Sequence, residues 1–340
     1  MAGVLVVRPA TPEPGSQPPG LLVDAAIAHP QPLADADAGM PPYYVIAGHG
    51  RPVAEVRDSK TGKILRAVPL PAGIDPKMSQ IAAAGNGHTF ALALFSVSKT
   101  RFYLLRVAAG GHSARLATLP VPPLPAGEYA DAIAVSPDGR RLAVAIQRAD
   151  GQRGAVEVVT LATGAVRTWT TARAGLPTQL SWADRGHELG FFWQDDRPAA
   201  TSAAGLWVLD TTAAGSSLMS GRRILPASVG GDEVQAALLS PDGATVIASV
   251  TYNGTSHVGP GTITGGIVGL SARTGRPLRT LLAERAAFSA DPAGPGWYVT
   301  ACQLPAIDAT GSHLLVSCGS FGRLDRARFT PLPGSAPQTA

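Results

Sequence analysis

Ala134-Val135-Ser136-Pro137-Asp138-Gly139-Arg140-Arg141-Leu142-Ala143-Val144-Ala145-Ile146 is an apolar run, a four-residue turn and a second apolar run. Proline presets φ for the turn, aspartate bonds to nearby backbone, and glycine supplies a positive φ at little steric cost. The stretch therefore reads as a β-hairpin. The same unit returns as Leu238-Leu239-Ser240-Pro241-Asp242-Gly243-Ala244-Thr245-Val246-Ile247-Ala248. Looser copies surround Gly87, Gly186 and Gly311, in Ala84-Gly85-Asn86-Gly87-His88, Ala183-Asp184-Arg185-Gly186-His187 and Asp308-Ala309-Thr310-Gly311-Ser312-His313.

A second hairpin follows the first. Asp58-Ser59-Lys60-Thr61-Gly62, Leu161-Ala162-Thr163-Gly164-Ala165 and Ala272-Arg273-Thr274-Gly275-Arg276 each join two apolar or alternating runs. Two hairpins make four strands per unit. The first-hairpin glycines lie 52, 47, 57 and 68 residues apart, and a four-stranded propeller blade takes about 40–50 residues with insertions in loops. The second strands, such as Leu142 to Ile146 and Val246 to Val250, are apolar at nearly every position. Continuous apolarity means both faces are covered, as when sheets stack face to face. The expected fold is all-β, a β-propeller of four-stranded antiparallel blades, with six blades and seven as the alternative. The units fall at roughly 21–70, 79–119, 131–170, 178–225, 234–282 and 297–334. The first lacks a clear innermost strand and the last a clear outermost one, which suggests that the N-terminal segment closes the ring. One propeller domain over 21–334 is expected, after an apolar remnant and Pro-rich linker (1–20) and before a disordered tail (335–340).

Composition supports this reading and narrows the partners. The chain has 340 residues, 45% hydrophobic and 15% charged, with 39 glycines and 30 prolines, which suits short strands and many turns. Its net charge of +4 is modest and its arginines are dispersed. Nucleic acid is not an expected partner, because phosphate binding needs a concentrated basic patch. Met1 to Val7 is apolar but far shorter than the ~20 residues that span a bilayer. With the Pro-rich run behind it, it reads either as the end of a membrane anchor or as an ordinary disordered start. The chain is expected to be a monomer.

With both hairpins in view, the chain resembles WD-repeat-like and TolB-like bacterial β-propellers. The residues that carry the likeness are Ser136-Pro137-Asp138-Gly139-Arg140-Arg141-Leu142-Ala143 and Ser240-Pro241-Asp242-Gly243. The Trp-Asp and Gly-His pairs of true WD repeats are absent at the expected places. The Pro41-Pro42-Tyr43-Tyr44-Val45 start and Phe329-Thr330-Pro331-Leu332-Pro333 end resemble actinobacterial propellers found outside the membrane. The resemblance implies a fold and an extracytoplasmic location, with the cytoplasm as the alternative. It implies no activity, since propellers host many functions.

The two cysteines, Cys302 and Cys318, are symmetric about Thr310 in the last first-type hairpin. Residues directly opposite in such a hairpin have Cα atoms about 4.5–5.5 Å apart, within disulfide range. A disulfide is expected, with two buried thiols as the alternative; it would contribute about 3 kcal/mol and would point to an oxidising compartment.

No Cys-x-x-Cys pair, His-Glu-x-x-His or Gly-x-Ser-x-Gly is present, so metal, zincin and nucleophile-elbow chemistry find no motif. No cofactor is called for. His88, His187 and His313 follow turn glycines in separate units and read as solvated turn residues. One polar recurrence is better placed. Counting back seven or eight residues from each turn glycine gives Gln80, Asp131, Gln179, Gln235 and Gln303, at the start of each innermost strand. These five are expected to ring one channel mouth, with Asp195, Asp232, Glu233, Tyr252, Asn253 and Trp297 in the loops around it. The alternative is an ordinary water-filled polar channel lining. The function expected is non-catalytic binding of a protein or small ligand at that mouth. A propeller enzyme of lactonase or lyase type is the second reading, and glutamines serve acid–base chemistry poorly.

Overall fold

A computed structural model describes residues 41–48, 51–74, 80–96, 99–148, 154–195, 203–213, 217–229, 232–252, 263–285, 287–288, 297–298, 303–307, 314–317, 321–325 and 328–331. Residues 1–40 and 332–340, with the expected linker and tail, lie outside them.

The described strands form six sheets of three to five strands and one short pair. The first sheet holds β1 (Tyr43–Gly48), β2 (Arg51–Asp58) and β3 (Ile64–Pro69). The second holds β4 (Gln80–Ala83), β5 (Thr89–Ser96), β6 (Lys99–Val107) and β7 (Ala114–Thr118). The third holds β8 (Glu128–Val135), β9 (Arg141–Arg148), β10 (Ala155–Thr160) and β11 (Val166–Thr170). The fourth holds β12 (Leu176–Ala183), β13 (Glu188–Gln194), β14 (Gly205–Asp210) and β15 (Arg222–Pro226). The fifth adds the short β16 (Ser228–Val229) to β17 (Asp232–Leu239), β18 (Thr245–Tyr252), β19 (Ile263–Ser271) and β20 (Pro277–Arg285). After the pair β21 (Ala287–Phe288) and β22 (Trp297–Tyr298), the sixth holds β23 (Gln303–Ile307), β24 (Leu314–Ser317), β25 (Phe321–Asp325) and β26 (Arg328–Pro331). Within each sheet every pairing is antiparallel between sequence neighbours.

The fold is a β-propeller. The innermost strands adjoin one another in chain order: β4 lies against β8, β8 against β12, β12 against β17 and β17 against β23. One detail differs from the sequence reading and one agrees with it. The last sheet has its outermost strand, β26. The first sheet has three described strands, and β1 meets β4 as the second strand of a blade meets the next inner strand. Among the described residues the first sheet thus lacks its innermost strand, as expected, and the last sheet does not lack its outermost one.

The turns explain the repeat. Ser136 Oγ donates to Asp138 Oδ1 at 2.6 Å and accepts from Arg141 N, while Arg140 N donates to Asp138 Oδ1. Ser240, Asp242, Thr245 and Ala244 repeat the same bonds. In the second sheet Asn86 Oδ1 accepts from the N–H groups of His88 and Thr89. The second hairpins share a different closure: Gly62, Gly164 and Gly275 each donate to the carbonyl four residues back, with φ near +70°. The Asp242 carboxyl is held below its ordinary value, first by the Ser240 hydroxyl and then by the Ala244 N–H. Its contribution to stability is thus present above about pH 4 and is lost as pH falls through the folded value. Asp242→Asn should flatten the acid side of the stability–pH profile in urea unfolding. An acid limb identical to that of the unmodified chain would contradict this account of the turn.

Among the described residues the apolar interior is divided rather than single. Five apolar clusters each lie between two consecutive sheets. In β9, Leu142, Val144 and Ile146 face the second sheet while Ala143 and Ala145 face the fourth. In β5, Phe90, Leu92 and Leu94 face the first sheet while Ala91 and Ala93 face the third. In β13, Leu189, Phe191 and Trp193 face the third. In these strands period-two alternation sends large residues backward, and in β5 and β9 it sends alanines forward, so large meets small in the wedge between the third and fourth sheets. Polar links reinforce the wedges. Arg141 lies 5.0 Å over the Trp182 ring and donates to the Gly186 carbonyl and the Thr211 hydroxyl, and Trp182 Nε1 donates to the Ala134 carbonyl. Ser181 Oγ accepts from Leu239 N. Gly190 permits that approach, since a Cβ there would meet Ser181 Oγ at 2.8 Å.

Each outermost strand carries arginine: Arg66, Arg115, Arg167, Arg223, Arg279 and Arg328. A charge on an exposed edge opposes pairing with another chain.

Candidate functional site at the inner-strand starts

Successive strands run in opposite directions, so every inner strand starts at the end of its blade opposite the first-hairpin turn. Gln80 and Gln303 are the first residues of β4 and β23, paired with Ala93 and Ser317. Asp131, Gln179 and Gln235 stand a little further in, at the same relative position in three adjacent blades. Gln80 and Gln303 thus begin their strands as expected, whereas Asp131, Gln179 and Gln235 are each the fourth residue of an eight-residue inner strand.

The structure adds something the spacing alone did not show. Ala130 pairs with Ile146 and Ala132 with Ala145, so Asp131 is an extra, unpaired residue. Gln179 is skipped between Thr178 and Leu180, and Gln235 between Val234 and Ala236. Three neighbouring inner strands thus carry a β-bulge at the same polar residue. A bulge frees one residue from the ladder and re-aims its side chain, and bulges concentrate beside functional sites. In β23 a register shift also follows Gln303, before Ala306.

Gln179 has φ +47°, one of two non-glycine residues with positive φ among those described. Such strain persists only where surrounding structure imposes it. Its Oε1 is buried and meets no hydrogen-bond donor among the described residues. Asp131 is half-buried, and desolvation lifts its carboxyl above its ordinary value. Tyr129, two residues earlier, has its phenol raised first by burial and then by the charge of Asp131. Gln235 is exposed, and its Nε2 donates to Glu233 Oε2 at 3.2 Å and Thr251 Oγ1 at 3.1 Å.

Of the expected loop groups, Asp195 Oδ2 accepts from the Ala203 N–H. Asp232 is fully buried at the start of β17 and its backbone pairs with Tyr252. Glu233 holds Gln235. Trp297 lies in the separate β21–β22 pair. Asn253 lies outside the described residues, as do Cys302, Cys318 and His313. His88 does more than sit in solvent: its Nδ1 is 2.8 Å from the Tyr43 hydroxyl, which also donates to the Gly87 carbonyl, tying the first sheet to the second. Among the described residues no three His, Cys, Asp or Glu side chains gather as a metal site would require.

No family model matches the chain, and no curated protein sequence matches it. Solved structures do. TolB from Acinetobacter baumannii is similar at a TM-score of 0.50 and 17% identity, over 84% of this chain and 61% of that one. The β-propeller domain of Myceliophteria thermophila Cps50 (Swd1) is similar at 0.46 and 17%, over 85% and 78%. Prolyl oligopeptidase B from Galerina marginata is similar at 0.47 and 14%, over 87% of this chain and 41% of that one. This chain thus spans about three-fifths of the TolB chain and two-fifths of the oligopeptidase. At such identities the likeness is one of fold, that of a β-propeller.

Proposed function

We propose that this propeller is a binding module that takes a protein segment or small ligand at the mouth where its inner strands begin. The observation that supports this reading is the coincidence of bulge and polar side chain at Asp131, Gln179 and Gln235 on three adjacent strands. Three aligned departures from regular pairing cost ladder bonds and strain, and they aim hydrogen-bonding groups away from the sheets. Panning a displayed library of random peptides on the folded chain tests it. Peptides are expected that bind, and that Gln179→Ala with Gln235→Ala weakens about tenfold or more, about 1.4 kcal/mol. Peptides that bind both forms equally would place binding elsewhere on the molecule.

Asp131 is also the observation that favours the second reading, an enzyme of lactonase or lyase type, because a half-buried carboxyl with a raised pKa suits proton transfer. A stoichiometric divalent cation in the purified protein would favour that reading over the first.

The module we propose has six blades and works outside the cytoplasm, with a disulfide between Cys302 and Cys318. What supports the disulfide is the direct pairing of Gln303 with Ser317, the residues next to the two cysteines in sequence. Mass spectrometry after alkylation of the unfolded protein should show no modified cysteine without reductant and two with it. Two alkylated cysteines without reductant would remove both the disulfide and its argument for location.

A further inference from the structure

We propose that the group held at this mouth is an N–H-bearing cation, the ammonium or guanidinium of a lysine or arginine side chain on a peptide. The proposal rests on the reading of the mouth as a binding site and names what that site selects.

The argument is an inventory of unused hydrogen-bonding capacity. Gln179 Oε1 is buried and no described residue donates to it. A buried acceptor without a donor costs roughly 1–3 kcal/mol, so a site that retains one selects a ligand that donates. Asp131 is half-buried and receives no hydrogen bond from a described residue, and desolvation alone accounts for its shift. A carboxylate can only accept. Gln235 has both amide hydrogens engaged, by Glu233 and Thr251, which leaves its Oε1 as free capacity. Asp131 and the buried Gln179 Oε1, on adjacent strands, are therefore acceptors without a donor among the described residues, and one of the two carries a negative charge. An ammonium has three donors and a guanidinium five, each with the charge that Asp131 lacks a partner for. A peptide suits the position because its lysine or arginine carries such a cation on a flexible stem, which can reach in while the backbone remains outside.

The chain as a whole is basic, with a net charge of +4. Its overall field repels cationic ligands, so attraction would have to come from a local site. That makes a basic probe a stringent one.

Fluorescence anisotropy with labelled, terminally blocked tetralysine, tetraarginine, tetraglutamine and tetraglutamate peptides tests the assignment on the full chain. The two basic peptides are expected to bind and the other two to give no saturable signal. Asp131→Asn should weaken the basic peptides about tenfold or more. Gln179→Leu should weaken them as well while leaving the melting temperature unchanged or raised, because it removes an unpaired polar atom; a purely structural glutamine would not divide the two readouts in this way. Equal affinity for tetralysine and tetraglutamine, or unaltered binding by Asp131→Asn, would overturn the proposal. So would calcium chloride that gives an Asp131-dependent signal in calorimetry while the peptides stay inert. If panned peptides depend on Gln179 and Gln235 but lack basic residues, the cation assignment falls and the mouth remains a binding site. If they do not depend on the two glutamines, the mouth itself is the error.

Discussion

Arg57→Ala is expected to destabilise the protein by about 3–5 kcal/mol, the usual result of breaking a buried ion pair by removing one partner. Arg57 and Glu55 are 8% and 4% exposed on the same face of β2. Arg57 Nε and Nη2 both donate to Glu55 Oε2, at 2.8 and 2.5 Å, and Nη1 donates to the Gly62 carbonyl. Ala54 and Val56 alternate with them and fill the wedge against the second sheet. The pair thus occupies the opposite face of the first sheet. Without the guanidinium, Glu55 keeps its burial and loses its main counter-charge. The double change Glu55→Leu with Arg57→Met should cost far less than Arg57→Ala, since an apolar pair of similar volume needs no counter-charge. Urea unfolding of the two variants measures both. A single variant within about 1 kcal/mol of the parent would mean that the ion pair is not the organising contact of this face.

Phe191→Ala should be nearly as severe, about 3–5 kcal/mol. Phe191 is fully buried in the wedge between the third and fourth sheets, with Leu189 and Trp193 beside it and Ala143 and Ala145 in the same cluster. Small residues on one sheet leave room for large ones on the next, so truncation opens a cavity with little to collapse into it. The converse change, Ala143→Leu, overfills the same wedge and should cost about 1–3 kcal/mol. Combined, the two should be less damaging than their sum, because they share one space. Strict additivity in chemical denaturation would show that the two positions do not share it.

The architecture was legible because its turns carry chemistry. Ser-Pro-Asp-Gly dictates its own bonds, and Ser136 and Ser240 make the same ones. Unbroken apolarity in strands such as β9 announced neighbours on both faces. Other features left weaker traces. Arg328-Phe329-Thr330-Pro331 has one apolar side chain that alternation could register and ends in proline, so an outer edge strand there was invisible. Two-residue strands such as β16 are below what periodicity can detect. The ring residues emerged from counting, but their bulges did not. One extra residue in Ala130-Asp131-Ala132 changes the register without disturbing the apolar pattern. The count of seven or eight from the turn glycine did not disclose it, since the bulged Gln179 and the unbulged Gln80 share a count of seven. The unpartnered oxygen of Gln179 had no trace at all, since it depends on a positive φ that its neighbours impose.

The division of the apolar interior into five wedges has a consequence for how the chain is made. Each wedge unites stretches adjacent along the chain, as the Arg141–Gly186 and Ser181–Leu239 bonds show, 45 and 58 residues apart. A growing chain can therefore seal each wedge once the following hairpins have left the ribosome, without waiting for its far end. Folding during synthesis would then advance sheet by sheet, leaving at any moment one face bare only on the newest sheet and on the first.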